Sequence, residues 1–314
     1  MSQSVLLRPP VPPTSLSRRG RRAARPARSQ TTVGAWMVAP AAVLLVTFVI
    51  IPIALTFALA FTNAKLVSPE PISLIGFDNF GRLFGDPTFW KSLRNTVIFA
   101  LFVVPLQAGF ALALALLINV KVRGVNFFRT VYFLPVVTSM VVVAMLWTFL
   151  YQPSGLINSL LAKVGIDGPN WLGNSSTALA AIIFMSIWQN VGFHMVIWLS
   201  GLQTISPSLY EASSLDGATA WQQFRFVTWP GLKQTRTFIL ITITISALAL
   251  FTQINIMTQG GPLDSTSTVV YQAVRSGFAQ QQTGYASAIS LAFFVLVLAV
   301  SLVQRHLTRD KDAR

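Results

Sequence analysis

The sequence predicts an all-α integral membrane protein with six transmembrane helices and both termini on the cytoplasmic side. Three observations carry this. Of 314 residues, 53% are hydrophobic and only 10% charged, with a mean hydropathy of +0.62; a soluble domain carries about 25% charged residues. Six apolar segments are each long enough for a bilayer core of roughly 30 Å, which takes about 20 helical residues. The basic residues also fall unevenly between alternate connecting segments.

Residues 1–32 read as a disordered, basic cytoplasmic tail. Arg8, Arg18, Arg19, Arg21, Arg22, Arg25 and Arg28 lie among Pro, Ser and Ala, a composition that buries no core; contact with anionic lipid headgroups is a further role open to it. The stretch "SRRGRRAARP" lacks the apolar residue expected soon after the arginine pair of a twin-arginine export signal. The apolar transmembrane domain covers 33–307, with spans at about 33–62, 95–119, 130–151, 177–202, 237–257 and 284–303, and 308–314 form a short cytoplasmic tail. The first span is too long for the 7–15-residue apolar region of a cleaved signal peptide, so it is read as retained.

With the N-terminus inside, 17 of the 23 Lys and Arg fall on cytoplasmic segments, including Lys121, Arg123, Arg129, Arg225, Lys233, Arg236 and Arg305. Five of the nine acids fall outside. An even number of spans then returns the C-terminus to the same side, and the loop Glu211–Pro230 is cytoplasmic.

The composition excludes several chemistries. There are no cysteines and only His194 and His306 as imidazoles, so thiol chemistry and a His-rich metal site are not expected. No Lys, Arg, Asp or Glu lies near the middle of a span, where a proton relay would need one. No Gly-x-x-x-x-Gly-Lys-Ser/Thr phosphate loop is present. ATP and Mg²⁺, if used, bind another chain. The net charge of +14 sits on termini and loops, which argues for topology rather than nucleic acid.

The loop "EASSLDGATAWQQFRFVTWP" (Glu211–Pro230) is the most polar feature between spans. Ser206-Pro207 reads as a helix start with Ser as cap and Pro in the first turn; Ser208-x-x-Glu211 offers an alternative capping box. Leu209, Ala212, Leu215 and Ala218-Thr219 recur at helical spacing. Gly217 permits a left-handed turn, a second helical piece over Ala218–Phe226 exposes Trp221, Phe224 and Arg225, and Pro230 stops it. Two readings fit: an interfacial helix resting on lipid headgroups, or a docking helix gripped by a soluble partner.

The loop resembles the EAA loop of ABC importer permeases: Glu-Ala-Ala, three residues, Gly, nine residues, Ile-x-Leu-Pro. Glu211, Ala212, Gly217 and Pro230 match, while Ser213 stands for Ala, Val227 for Ile and Trp229 for Leu. "GFDNFGRLFGDPTFWKSLRNT", "RGVNFFRTVYFLPVVTS", "TQGGP" and "GYASAIS" resemble the carbohydrate-uptake branch, with the larger permease of maltose- and glycerol-phosphate-type importers as the nearest type. The similarity covers about residues 33–307. The resemblance implies the type I importer permease fold in a bacterial inner membrane, and a second, homologous permease subunit as partner. It also implies two ATPase subunits and an extracytoplasmic sugar-binding protein. The chain itself has no catalytic residue. Glu211, Ala212, Ser213, Leu215, Asp216, Gly217 and Pro230 would form the ATPase-coupling element, with Glu211 fixing the helix start and pairing with a basic group.

Two stripes suit a sugar path. Ser186, Gln189, Asn190 and Phe193 share a face of the fourth span, and Thr242, Ser246, Leu250 and Gln253 one of the fifth. Hydroxyls and amides match sugar hydroxyls, and an aromatic ring covers a sugar's apolar face. Bonding between neighbouring helices explains any single one of them equally well. His194 reads as an interhelical hydrogen bonder, Trp147 and Trp188 as packing residues, and Trp90, Trp171 and Tyr151 as outer-boundary anchors. Gln259–Pro262 is a plain turn on physical grounds and an external loop near the binding protein by resemblance. The absence of Lys and Arg from the spans favours a neutral sugar over a phosphorylated one; a glycerol-phosphate importer is the alternative. A membrane-embedded enzyme would need more than Glu211, Asp216 and Arg225 at one face, and a secondary carrier would need charge within the spans.

Overall fold

A computed structural model describes residues 28–67, 71–119 and 125–308. The expected tail residues 1–27 and 309–314, with Lys121 and Arg123, lie outside the described residues. The described chain is helical, with a single isolated β-bridge between Thr62 and Leu74. Contacts divide the chain at Pro52 into two units, Met1–Pro52 and Ile53–Arg314.

The first long helix, α1, runs over 28–59, so that residues 28–32 are helical where a disordered tail is expected. It includes the apolar span Ala35–Leu59 and has a π-turn at Val46–Ile50. That turn ends two residues before Pro52. Proline has no N–H for the carbonyl four residues back and collides with it, and a widened turn swings that carbonyl aside.

In the larger unit, α2 (Asp78–Gly85) leads into α3 (Pro87–Ile118), 32 residues long. At about 1.5 Å per residue, α3 is much longer than a roughly 30 Å hydrocarbon core. Its first turns, with Lys91 and Arg94, therefore project beyond the apolar stretch, which is why composition places the span's start at Asn95. Asp86 caps α3, accepting from the Thr88 N–H at 2.8 Å with Pro87 in the first turn.

The third span is not one straight helix over 130–151. It consists of α4 (Val125–Val137) and α5 (Met140–Leu150), bent by 97°. Ser139 is extended (ψ 133°) at the break, and Gln189 Nε2 meets the Thr138 carbonyl at 3.5 Å. Counting this bent pair as a span gives six; without it there are five. After the short helix α6 (Leu156–Lys163), α7 (Ala178–Gln203) lies where the fourth span is expected.

The fifth span is broken too, into α10 (Lys233–Leu248) and α11 (Thr252–Met257), where a continuous 237–257 helix is expected. Thr268 Oγ1 donates to the Leu250 carbonyl at 2.8 Å, so a carbonyl freed by the break is not left bare within the protein. After α12 (Val269–Val274), α13 (Thr283–Thr308), where the last span is expected, closes the described sequence of elements.

The main core lies among α3, α5, α7, α10 and α11, with Phe99, Ile182, Met185, Met195, Trp198, Ile239, Ile243 and Ile254 nearly inaccessible. Lipid tails are as apolar as these side chains, so close fit and polar ties hold the helices together. A Cβ on Gly192 would sit 1.9 Å from the Tyr132 carbonyl oxygen, which marks how closely α7 approaches α4. Trp198 Nε1 donates to the Ala108 carbonyl at 3.1 Å, and Gln107 Nε2 and His194 Nδ1 lie 2.9 Å apart. His194 is thus an interhelical hydrogen bonder, as its isolation in the sequence suggests.

Candidate functional site

The loop between the fourth and fifth spans begins as expected. Ser206 takes the cap position and Pro207 the first turn of α8 (Pro207–Leu215). Neither Ser206 nor Ser208 caps the helix, however; their hydroxyls bond each other at 2.8 Å. The capping box forms in the next element instead, where Thr219 N–H donates to Gln222 Oε1 at 2.7 Å at the start of α9 (Ala220–Gln223).

Gly217 has φ +73°. Around it Ala218 N–H donates to Ser213 O at 2.9 Å and Gly217 N–H to Ser214 O at 3.1 Å, a helix end that uses a left-handed residue to satisfy its last carbonyls. No atom lies within 4 Å of a Cβ added there, so the backbone angle, not space, asks for glycine. Ser213 bonds the Tyr210 carbonyl at 2.9 Å, which shows how a hydroxyl is accommodated where the resembling pattern has alanine.

The second helical piece differs from expectation. It starts at Ala220, passes through a π-turn at Phe224–Thr228 and continues into Trp229–Gly231. Pro230 is not a stop. It occupies the opening turn of the following segment, and the preceding π-turn repeats the device seen before Pro52. Phe226 is exposed with Trp221 and Arg225, whereas Phe224 is half-buried.

Leu209 and Leu215, expected to share an apolar face with Ala212, are 52% and 90% exposed. Glu211 and Asp216 are exposed as well, and Glu211 pairs with no basic group among the described residues. The loop therefore presents an apolar and acidic surface with its own chain contributing little cover. Two bonds brace it internally: Gln223 Nε2 to Ser214 Oγ at 2.9 Å and Tyr210 Oη with Thr228 Oγ1 at 3.0 Å.

The two interior stripes do not form one continuous polar surface. Ser186 and Gln189 are buried, Asn190 is half-buried and donates to the Ser186 carbonyl at 3.0 Å, and Phe193 is exposed. Ser186 Oγ and Gln189 Oε1 lack a hydrogen-bond partner. In the fifth span, the break after Leu248 ends the helical register. Ser246 is exposed while Leu250 and Gln253 are buried, and Thr242 bonds back to Phe238 and Ile239 carbonyls. Among the described residues no group of three His, Asp or Glu side chains is placed to hold a metal.

The stretch 258–268 is far from a plain turn. Gln259, Gly260, Leu263 and Asp264 all have positive φ, and the Gly261–Pro262 bond is cis. Thr266, Ser267 and Thr268 are buried. Asn95 Nδ2 donates to the Asp264 and Ser267 carbonyls at 2.9 and 3.0 Å, Ser92 Oγ meets Ser267 Oγ at 2.8 Å, and Lys91 bonds the Leu263 carbonyl.

Beside it lies a cluster that residue-type reasoning missed. Asp86 Oδ2 accepts from Tyr285 Oη at 2.6 Å and from Gln272 Nε2 at 3.1 Å, and the Arg82 guanidinium lies 4.1 Å over the Tyr285 ring. Burial raises the Asp86 carboxyl, but hydrogen bonds from Tyr285, from the Thr88 backbone and hydroxyl, and from the Phe89 N–H outweigh it and hold the group below the ordinary carboxylate value. The one available sequence signal was Asp86-Pro87 before an apolar run, a helix-start signature; its partners Gln272 and Tyr285 are far along the chain.

This geometry can be set beside known proteins. Residues 107–312 match the family described as binding-protein-dependent transport system inner membrane component. The probable ABC transporter permease YurN of Bacillus subtilis is 39% identical over 84% of this chain and 92% of its own length. The lactose transport system permease LacF of Rhizobium radiobacter is 34% identical over 89% of this chain and 95% of its own. A chain in the crystal structure of a bacterial alginate ABC transporter, in complex with an alginate pentasaccharide-bound periplasmic protein, superposes with a TM-score of 0.78. It is 25% identical and covers 90% of this chain and 95% of the other. A chain whose described residues are helical, with several apolar spans, a braced exposed loop between Ala178–Gln203 and Lys233–Met257, and these relatives belongs to the binding-protein-dependent ABC importer permeases of the inner membrane.

Proposed function

We propose that this chain is one permease subunit of an ATP-driven importer of neutral di- or oligosaccharides, working beside a second permease, two ATPase subunits and an extracytoplasmic sugar-binding protein. The observation that carries this is the exposed, braced helix α8 with its glycine turn, in a chain that has no nucleotide-binding loop of its own. Lactose, named for one relative, supports a neutral disaccharide; the alginate named for a structural neighbour is an acidic polysaccharide and supports only the oligosaccharide part of the class.

The topology in this reading has six spans with both termini cytoplasmic, which the basic-residue distribution supports. Glu211, Ala212, Ser213, Leu215, Asp216, Gly217 and Pro230 present α8 and its turn to an ATPase, whose nucleotide and Mg²⁺ stay on that partner. The interior polar groups Ser186, Gln189, Asn190, Ser246 and Gln253, with Phe193 and Leu250, border the sugar path. The orphaned oxygens of Ser186 and Gln189 would gain partners there if the spans rearrange between inward- and outward-open states. Motion of the ATPases tilts α8, and the tilt passes through the π-turn into α10.

The test is purification through a tag on this chain, followed by ATPase assays with the binding protein and a panel of neutral saccharides and glycerol phosphates. Copurification of an ATPase stimulated by a neutral saccharide is the expected result. Stimulation by phosphorylated compounds alone would replace the substrate class with the glycerol-phosphate alternative. Uptake by the chain without an ATPase would overturn the reading.

A further inference from the structure

Trp229 stands where the resembling loop pattern has leucine, and the structure gives it a specific setting. Trp221 stacks on Phe224 with ring centroids 5.6 Å apart and planes at 26°. Phe224 lies 6.1 Å from Trp229. The Arg236 guanidinium sits 4.5 Å over the Trp229 ring. Trp221 is 70% exposed at one end of this series, and Arg236 belongs to the first turns of α10 at the other. Phe224 and Trp229 also pack against the main core.

We propose that Trp229 is a positioning residue that fastens the loop to the fifth span. Its ring, held between Phe224 and Arg236, makes the loop and the start of α10 tilt as one body. This rests on the reading of the loop as the ATPase contact.

The physical reason is the path the backbone takes. A π-turn precedes Trp229, and Leu232 leaves helical geometry (φ −85°, ψ 6°) before Lys233 starts α10. The main-chain ladder between loop and span is therefore interrupted, and a hinge is the expected consequence. A leucine at 229 would fill space but offer no face to a cation. An indole offers the strongest such face among side chains, and a planar guanidinium stacks on it as an ammonium does not. Trp229 with Arg236 thus spans the interruption that the backbone leaves.

The chain has no cysteine, so single thiols can be introduced for spin labels at Leu215 and Phe238, both well exposed. The distance distribution between them, measured on the full chain in nanodiscs, reports how firmly the loop is held. Trp229→Leu and Arg236→Gln should each raise the population outside the native distance peak by about two- to fivefold, the worth of an exposed cation–π contact. Trp229→Phe should restore most of the native distribution, and the double variant should be no broader than either single one. In the complex, Trp229→Leu should raise the ATP consumed per sugar transported while Trp229→Phe should not, a split that a purely structural role would not produce.

An unchanged distribution in both Trp229→Leu and Arg236→Gln, or additive broadening in the double variant, would overturn the proposal. Absence of an ATPase from the wild-type complex would instead overturn the coupling reading, and the distance measurement would still decide whether Trp229 fastens the loop.

Discussion

The segment 258–285, a connection with the first turn of α13, and the loop 206–231 are held in opposite ways. The first is tied by buried bonds to residues far away in sequence: Asn95 to Asp264 and Ser267, Ser92 to Ser267, Tyr285 and Gln272 to Asp86. The second is tied chiefly to itself, by Ser214 with Gln223, Tyr210 with Thr228 and the Thr219–Gln222 box, and leaves Leu209, Leu215, Trp221 and Phe226 exposed. Long-range buried bonds fix a surface in one arrangement, whereas a locally braced element keeps its own shape while remaining free to be moved. The first segment has the build of a platform, and the second suits the handle that the proposed function makes of it.

Substitutions should separate the two by thermal stability of the chain in nanodiscs. The largest loss is expected at Asp86→Ala. It removes a helix cap and leaves the Tyr285 hydroxyl and the Gln272 amide without their acceptor, together roughly 2–4 kcal/mol. Asn95→Ala should cost about 1–3 kcal/mol, since two carbonyls lose their donor. Gly217→Ala, forced to a left-handed angle, should cost about 1–2 kcal/mol, confined to the loop and read as local hydrogen exchange more than as a lower melting temperature. Leu215→Ser should change stability by no more than about 0.5 kcal/mol and yet weaken retention of the ATPase. If Leu215→Ser left that retention intact while Asp86→Ala proved harmless, the distinction between platform and handle would fail.

Acidity offers a gentler probe of the platform. The folded Asp86 carboxyl titrates below the ordinary value of about 3.9. Its contribution is therefore fully present above that value and is lost as pH falls through the depressed folded value. Melting temperature should gain no Asp86-dependent slope between about pH 8 and about pH 5, and Asp86→Asn should flatten only the acid limb below about pH 4. A difference between wild type and Asp86→Asn in the slope near neutrality would contradict this.

The spans were legible in the sequence because each is a long apolar window, and ends set by Ser206-Pro207 and Gly217 follow local rules. The breaks were not. The interruption after Leu248 occurs within apolar sequence, and the bend falls on Thr138-Ser139, hydroxyl residues that membrane helices also carry in their interiors. The freed Thr138 and Leu250 carbonyls are met by Gln189 and Thr268, partners that periodicity does not reveal. The stripe over Thr242–Gln253 is interrupted for the same reason, because a helical face drawn through Leu250 assumes a helix that ends at Leu248, whereas Ser186–Phe193 lies within one continuous helix. Pro230 misled in the other direction: a proline reads as a stop, but a π-turn ahead of it lets the chain continue. Asp86 announced itself only as a cap, while its Gln272 and Tyr285 contacts join segments distant in the chain.

The central claim is that the loop takes up motion generated on a separate ATPase. Its most direct measurement is ATP-driven sugar uptake in proteoliposomes, with complexes carrying Gly217→Pro or Gly217→Asn compared to the wild type. Asparagine tolerates the left-handed angle, whereas proline is locked near −65° and cannot reproduce +73°. The account predicts near-normal uptake with Gly217→Asn, and a membrane-inserted but uncoupled complex with Gly217→Pro. Normal ATPase copurification and normal uptake with Gly217→Pro would contradict it.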